Sequence, residues 1–352
     1  MLCSPEKNMF QVLVLVALGA LAIALFGVVR RYALKDKLLT TSQFVCGSYV
    51  AATLAFLTLY SACFGLTLPA HLAPRFFRVV ILGAAANVVI QGLNAKAGTY
   101  KLGEVSYATP LQSLTPLLIT LAAVLVGEFP GPRGILGVLV MTAGAYVLGF
   151  EKRPERWYLY LTPFARVLTL FWRKGSTEAE RQKSLVTMLS LGSATFGTLG
   201  LICDGIMVRR AGDLQGIVLA AMTLTVVLSL AYLPWMLRTT FGKKPETASA
   251  ANEETKESVK AFALTAFCAF ALLWVMHVLL IQPRFNEAFI AYVGTLKRFS
   301  VLFAVLAGAF FFREAGIKKR LVAALLIVIG AVLITTDSLP AHLSARLVGL
   351  GL

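Results

Sequence analysis

Ten apolar runs, each long enough to cross a lipid bilayer as a helix, alternate with polar segments along the chain. A helix needs about 20 residues to cross the hydrocarbon core, whereas a barrel strand needs about 9–11. A helix also satisfies its own backbone hydrogen bonds in lipid. The pattern therefore predicts an all-α polytopic membrane protein with ten transmembrane helices, at 9–29, 42–66, 76–97, 104–127, 133–150, 186–207, 214–237, 260–282, 286–312 and 318–336.

The composition agrees with this class of protein. Of 352 residues, 58% are hydrophobic and 14% are charged, whereas soluble domains carry about 25% charged residues. The net charge of +16 comes from Lys and Arg residues that separate apolar runs rather than cover one face. This distribution is typical of membrane-protein loops and argues against a nucleic-acid partner. We expect contact with membrane lipid and a multi-pass position in a bacterial inner (plasma) membrane.

Cysteine and histidine positions point to neither a metal nor a cofactor. The five cysteines form no CxxC pair, and the three histidines are scattered without an HExxH sequence. Cysteines inside apolar runs act most often as small packing residues. We therefore expect no metal, no cofactor and no enzymatic activity. The first run ends at Arg30–Arg31 instead of a small-residue cleavage site, which predicts a retained first span.

The spacing of the runs divides the chain into four parts. Residues 1–150 hold the first five runs, and 186–336 hold the last five with a polar linker at 239–259. The segment 151–185 is basic and aromatic, which predicts an amphipathic segment at the membrane interface, with an ordinary long loop as the alternative. The linker 239–259 has the composition of a disordered segment. Residues 337–352 form a C-terminal tail.

The two sets of five runs match each other at an offset of 186 residues. This offset pairs Glu128 with Glu314, Gly144 with Gly330, Thr109 with Thr295, and Gln112 with Arg298. Because each set has an odd number of spans, the second would enter the membrane from the opposite side. The sequence therefore predicts two inverted five-helix repeats with a solute site between them near the midplane.

The adjacent cations Lys297 and Arg298 lie inside the ninth apolar run. Counting residues to the nearest polar ends puts them close to mid-bilayer, where a charge costs about 2.5–3.5 kcal/mol on insertion scales. They should face a cavity, a counter-charge or a ligand. Arg can fork onto a carboxylate or phosphate while Lys supplies a point charge. The alternative is a structural role, with Arg298 bound to backbone carbonyls or to an inward acid.

Other polar residues within the runs are weaker candidates for contact with a solute. The residues on the third run share one helical face, so they either line a cavity or join helices by hydrogen bonds. His277 shares a face with Trp274 and could relay protons or simply pack. Asp204, Glu128, Glu287 and Glu314 lie near span ends, where solvated or helix-capping roles are expected. The candidates besides the cation pair are Tyr107, Thr109 and Gln112 in the fourth run, Asn87, Gln91 and Asn94 in the third, Trp274 and His277 in the eighth, and Tyr292 in the ninth.

Two stretches resemble the closing half of an EamA domain: SYATPLQSLTPLLITLAAVLVGEFPGPRGILGVLVMTAGAYVL and AYVGTLKRFSVLFAVLAGAFFFREAGIKKRLVAALLIVIGAVLI. Two such units form the ten-helix drug/metabolite transporter superfamily. The Lys297–Arg298 pair is similar to the Lys-Arg pair by which plastid sugar-phosphate/phosphate translocators grip phosphate. Those proteins carry a further Lys where this chain has Gln112, which weakens phosphate specificity. The resemblance implies cytoplasmic termini, while the full count of loop cations favours the opposite orientation.

These observations predict a secondary active transporter of a small, anionic organic metabolite, working by alternating access as a monomer or homodimer. The alternatives are a proton-driven exporter of amino acids or drug-like metabolites, and a membrane assembly protein without transport. A membrane-embedded enzyme would need paired acids or histidines at mid-depth, where the sequence offers His277 alone.

Overall fold

The structure is a computed structural model that describes residues 5–34, 39–69, 72–99, 113–148, 161, 178–241, 253–303 and 317–337. These ranges contain ten α-helices of seven residues or more, one five-residue 3₁₀ helix, a helical stretch at 299–303 and no β-strand. The α-helices are α1 (Pro5–Leu34), α2 (Thr41–Phe64), α3 (Pro74–Thr99), α4 (Thr115–Leu125), α5 (Pro132–Leu148), α6 (Glu178–Ala211), α7 (Leu214–Phe241), α8 (Glu253–Ile281), α9 (Ile290–Leu296) and α10 (Ile317–Thr335), and the 3₁₀ helix covers Gln282–Asn286.

Each of these α-helices lies at one of the ten predicted apolar runs. Within the described ranges, six stretches are long and apolar enough to cross a membrane: Phe10–Arg30, Thr41–Phe64, Pro74–Asn94, Ser184–Ala211, Leu214–Thr240 and Val259–Asn286. Shorter apolar helices cover Thr115–Leu125, Pro132–Val147 and Val322–Thr335. The all-helical prediction is confirmed for the described residues, and the apolar helices are compatible with a multi-pass membrane protein.

Two predicted linkers are shorter than the sequence indicated. Helix α6 begins at Glu178, inside the predicted interfacial segment 151–185, because EAERQK is rich in strong helix formers. Helix α7 continues to Phe241 and α8 begins at Glu253, so both ends of 239–259 are helical rather than disordered. Residues 242–252, most of 149–177, and the tail beyond Asp337 lie outside the described residues.

The helices pack in pairs around a buried centre. Helix α5 packs along α10, α3 along α6, α2 along α7, and α1 along α8. Smaller contacts join α2 to α8, α3 to α7, α4 to α6, α4 to α9 and α1 to α9. Every residue of α9 is buried, so this short helix lies at the centre of the bundle, where it can carry a site shielded from lipid.

Glycines bring α5 and α10 into backbone contact. A Cβ atom on Gly330 would lie 2.6 Å from the Met141 nitrogen and 2.7 Å from the Gly137 carbonyl oxygen. No real Cβ tolerates such distances from backbone atoms, so only glycine allows this approach. Gly27 of α1 is exposed, and a Cβ there would meet no atom within 4 Å.

We expect Gly330→Ala to lower the free energy of unfolding by about 1–3 kcal/mol, because the added methyl overpacks the α5–α10 contact. Gly27→Ala is the matched control and should leave stability unchanged or raise it, because alanine favours helix. Melting temperatures of both variants in detergent test this. An equal melting temperature for Gly330→Ala and the wild-type protein would contradict the close contact.

Candidate functional site

A cavity of about 300 Å³ lies between helices from both halves of the chain. Helices α1, α3 and α4 contribute from the first half, and α6 to α9 together with the 3₁₀ helix contribute from the second. Most of the wall is made of small and apolar side chains. Its polar members are Asn87, Asn94, Thr115, Ser193, Asp204, Trp274, His277, Gln282, Lys297, Arg298 and Ser300.

The two predicted cations lie at an interruption of the ninth apolar run. Helix α9 ends at Leu296, Lys297 and Arg298 form a turn, and helical structure resumes at 299–303. The Arg298 nitrogen donates to the Thr295 oxygen at 2.9 Å, and the Ser300 nitrogen donates to the Lys297 oxygen at 3.0 Å. These i→i−3 bonds show a local 3₁₀ step, a feature often found at functional hinges. Both cations border the cavity.

Asp204 of α6 lies on the cavity wall, whereas the sequence predicted a solvated or helix-capping role. Its carboxylate interacts electrostatically with Lys297 and is hydrogen-bonded to the Gln282 side chain. The prediction of a span-end role was wrong because α6 continues to Ala211, well beyond Asp204. A usable signal was present in the sequence. Ser193, Gly197, Gly200 and Asp204 follow each other at steps of four, three and four residues, which is one helical face, and all four border the cavity.

Four other predicted residues also border the cavity. These are Asn87 and Asn94 of α3, and Trp274 and His277 of α8. The Asn87 amide donates to the Gly83 oxygen at 2.9 Å, and His277 is hydrogen-bonded to the backbone of Gly19. Both α8 residues pack as well as line the wall, because the Trp274 ring stacks on Phe270 with centroids 5.9 Å apart.

Several buried polar atoms at this cavity have no hydrogen-bond partner among the described residues. They are Trp274 Nε1, His277 Nδ1, Gln282 Oε1 and Arg298 Nε. Buried polar atoms are nearly always paired in folded proteins, so a cluster of unpaired ones needs an explanation. A polar solute in the cavity would supply partners for such atoms.

Two predicted candidates lie away from the cavity. Gln91 donates to the Tyr49 hydroxyl at 2.8 Å, so it joins α3 to α2 by a hydrogen bond. Tyr292 is fully buried and its hydroxyl donates to the Asp337 carboxylate. It precedes Lys297 by five residues, and five steps of about 100° place two side chains on different faces of a helix. That geometry explains why Tyr292 does not border the cavity together with Lys297.

Tyr107, Thr109 and Gln112 lie outside the described residues, so their contact with the cavity stays a prediction. The described part of the fourth run begins with a turn at 113–114, followed by α4. Thr115 borders the cavity there, and Pro116 occupies the first turn of the helix, where its missing N–H costs nothing.

An ion pair between the two halves fixes the position of α9. Arg209 of α6 donates to the Glu128 carboxylate and, through Nε, to the Phe285 oxygen at 3.1 Å. The second Glu128 oxygen accepts the Ile290 N–H at 2.8 Å, so Glu128 caps the first turn of α9. Gly127 aims this side chain with a backbone φ of +82°, which is unfavourable for other residues. The expected capping role of Glu128 therefore agrees with its position.

Comparisons with known proteins show a shared fold and no family. No protein-family model matches the chain, and no curated protein matches it. A protein crystal structure is similar with a TM-score of 0.60 and 15% sequence identity, over 95% of this chain and 99% of that chain. At this identity the similarity speaks for the arrangement of helices alone.

We expect Glu128→Ala to destabilise the protein by about 3–5 kcal/mol, because it leaves the Arg209 charge unpaired and the first turn of α9 uncapped. The control is Glu287→Ala, which removes a more exposed ion pair with Arg284 and should cost about 0–1 kcal/mol. Thermal melts of the purified variants compare them. Similar melting temperatures for the two variants would contradict a positioning role for Glu128.

Proposed function

We propose that this protein is a secondary active transporter that moves a small organic anion through the cavity by alternating access. One observation supports this most directly. Lys297 and Arg298 border a cavity inside a bundle of apolar helices, together with buried polar atoms that lack partners among the described residues. Charged groups at such a depth are expensive and typically mark the path of a solute.

The pairing of helices supports an arrangement as two inverted repeats. An inverted repeat would relate α1–α5 to α6–α10 in chain order. Under this exchange the α3–α6 contact becomes α8–α1, and the α3–α7 contact becomes α8–α2, and all four contacts are present. The contacts α2–α7, α4–α9 and α5–α10 are converted into themselves. Together with the sequence match at an offset of 186, this pattern favours the resemblance to the drug/metabolite transporter superfamily, whose site lies between the two repeats.

The chemistry of the wall suits a small anion. Arg298 has an unpartnered Nε and can donate two parallel hydrogen bonds to a carboxylate or phosphate. Lys297 adds a point charge, while Asn87 and Asn94 supply neutral groups on the facing helix. A volume of about 300 Å³ is at the lower end of ligand pockets, which favours a metabolite over a drug-sized compound.

An aromatic cluster beside the cavity is a candidate for the closed end that alternating access requires. Trp274 on the cavity wall stacks on Phe270, whose ring meets Phe26 at a centroid distance of 4.4 Å. Phe44 and Tyr49 continue this cluster along α2. Side-chain hydrogen bonds between the start of α2 and the end of α7, Ser42–Thr239 at 2.6 Å and Gln43–Thr240 at 3.2 Å, lie at the same end of the bundle. We interpret this end as a closed gate that opens when α1 and α2 separate from α7 and α8.

The same cavity could serve an exporter of amino acids or drug-like metabolites, whereas an assembly protein would need no cavity lined by cations. The proposal assigns no enzymatic step to the chain. A plasma-membrane location fits the apolar helices, and both directions of transport are compatible with the fold.

Purified protein in proteoliposomes, tested against a panel of radiolabelled small carboxylates and phosphates, should take up at least one of them. We expect Arg298→Ala to lower the initial uptake rate about tenfold or more, because the forked hydrogen bonds are lost, with Arg298→Lys in between. Arg238→Ala removes an exposed Arg of α7 away from the cavity and should keep the wild-type rate. Melting temperatures show that each variant is folded.

Two results would contradict this proposal. Wild-type uptake by Arg298→Ala would remove the site assignment. A folded wild-type protein that transports none of the panel would favour the assembly role instead.

A further inference from the structure

Asp204 is the one acidic side chain on the cavity wall within the part of the chain that the structure describes, where it accompanies two cations. We propose that Asp204 restricts the site to solutes that carry a single negative charge. This inference rests on the proposed transport function, and it names the class of substrate.

The geometry gives the three charged groups different roles. The Asp204 carboxylate interacts with Lys297, and the Gln282 side chain holds it by a hydrogen bond. Gln282 belongs to the 3₁₀ segment between α8 and α9, and it borders the cavity together with Asp204. The Arg298 Nε has no partner among the described residues. In this proposal Asp204 offsets the charge of Lys297, and Arg298 remains as the cation available to a solute.

The charge balance of the wall then decides between solutes. With His277 counted as neutral, two cations and one carboxylate leave one positive charge on the wall. A singly charged acid makes the occupied cavity neutral. A dianion leaves a second negative charge that no described cation balances. Because Asp204 interacts with Lys297, a second carboxylate bound at Lys297 also meets the Asp204 charge and is repelled.

The size of this repulsion is sufficient for selection. Two unit charges a few ångströms apart in a partly screened protein site interact strongly enough to change affinity about tenfold or more. On the same charge balance, we expect a phosphate dianion to bind less well than the cation pair alone suggests. A small monocarboxylate can bind the Arg298 guanidinium, and its single negative charge balances the single positive charge that the wall retains.

A matched pair of ligands isolates the charge. Succinate and succinamate share one carbon skeleton, and an amide replaces the second carboxylate in succinamate. Binding of each to purified protein is measured by calorimetry and by ligand-induced change in melting temperature at neutral pH. We expect the wild-type protein to bind succinamate about tenfold more tightly than succinate, or better.

Substitution of Asp204 should remove this preference. In Asp204→Asn we expect the ratio of the two affinities to fall to near one or to reverse, because the Lys297 charge is then free to bind the second carboxylate. Asp213→Asn is the matched control. It makes the same change of charge at an exposed position after α6, away from the cavity, and should keep the wild-type ratio.

The outcomes separate this inference from the proposed function. Equal or tighter binding of succinate by the wild-type protein overturns the selectivity while leaving an anion site. An unchanged preference in Asp204→Asn also overturns it, since Asp204 would then be structural. Absence of binding by either anion to the wild-type protein counts against both proposals. If Asp204→Asn does not fold, Asp204→Ser also removes the carboxylate and provides the same comparison.

Discussion

The cost of placing Lys297 and Arg298 among apolar helices is the constraint on which the rest of the site depends. A cation far from bulk water needs an opposite charge, a set of hydrogen-bond acceptors or a wet chamber. The structure provides Asp204, which interacts with Lys297, and a cavity beside both cations whose wall includes further polar side chains. Gly197 and Gly200 of α6 also line this cavity. Because they have no side chain, they leave the space that the cations border.

The position of these cations depends in turn on α9, a helix that is too short to be stable by itself. Helix α9 has seven residues, and isolated helices of this length are unstable. It is held from outside, since Glu128 caps its start and Tyr292 reaches the Asp337 carboxylate, which also accepts the Gly131 N–H at 3.0 Å. The contact between Glu128 of the first half and Ile290 therefore positions α9, the helix of the second half that precedes Lys297 and Arg298.

The helices and the cation pair can be predicted from the sequence because both depend on consecutive residues alone. Hydropathy marks a span wherever it lies, and two adjacent cations are conspicuous in the run 286–312. Prediction was less successful where direction around a helix decided the outcome. Asp204 lies on the cavity wall because α6 extends beyond the predicted end of its run, and Tyr292 lies away from the cavity because helical phase decides which face a residue occupies. The sequence allows Gln91 either to line the cavity or to join helices. Its hydrogen bond to the Tyr49 hydroxyl shows that it joins α3 to α2.

The charges of the cavity belong to one half of the chain, and this bears on how the proposed alternating access could work. Among the described residues, Asp204, His277, Lys297 and Arg298 all come from α6, α8 or the ninth run, while the first half contributes the neutral Asn87, Asn94 and Thr115. A movement between the halves would then leave the Asp204–Lys297 interaction intact. It would exchange only hydrogen bonds between a solute and neutral groups, which are weaker than charge-assisted ones. Such a division keeps the expensive electrostatics constant during the conformational change, so that the barrier to movement depends on packing and gate contacts rather than on separating buried charges.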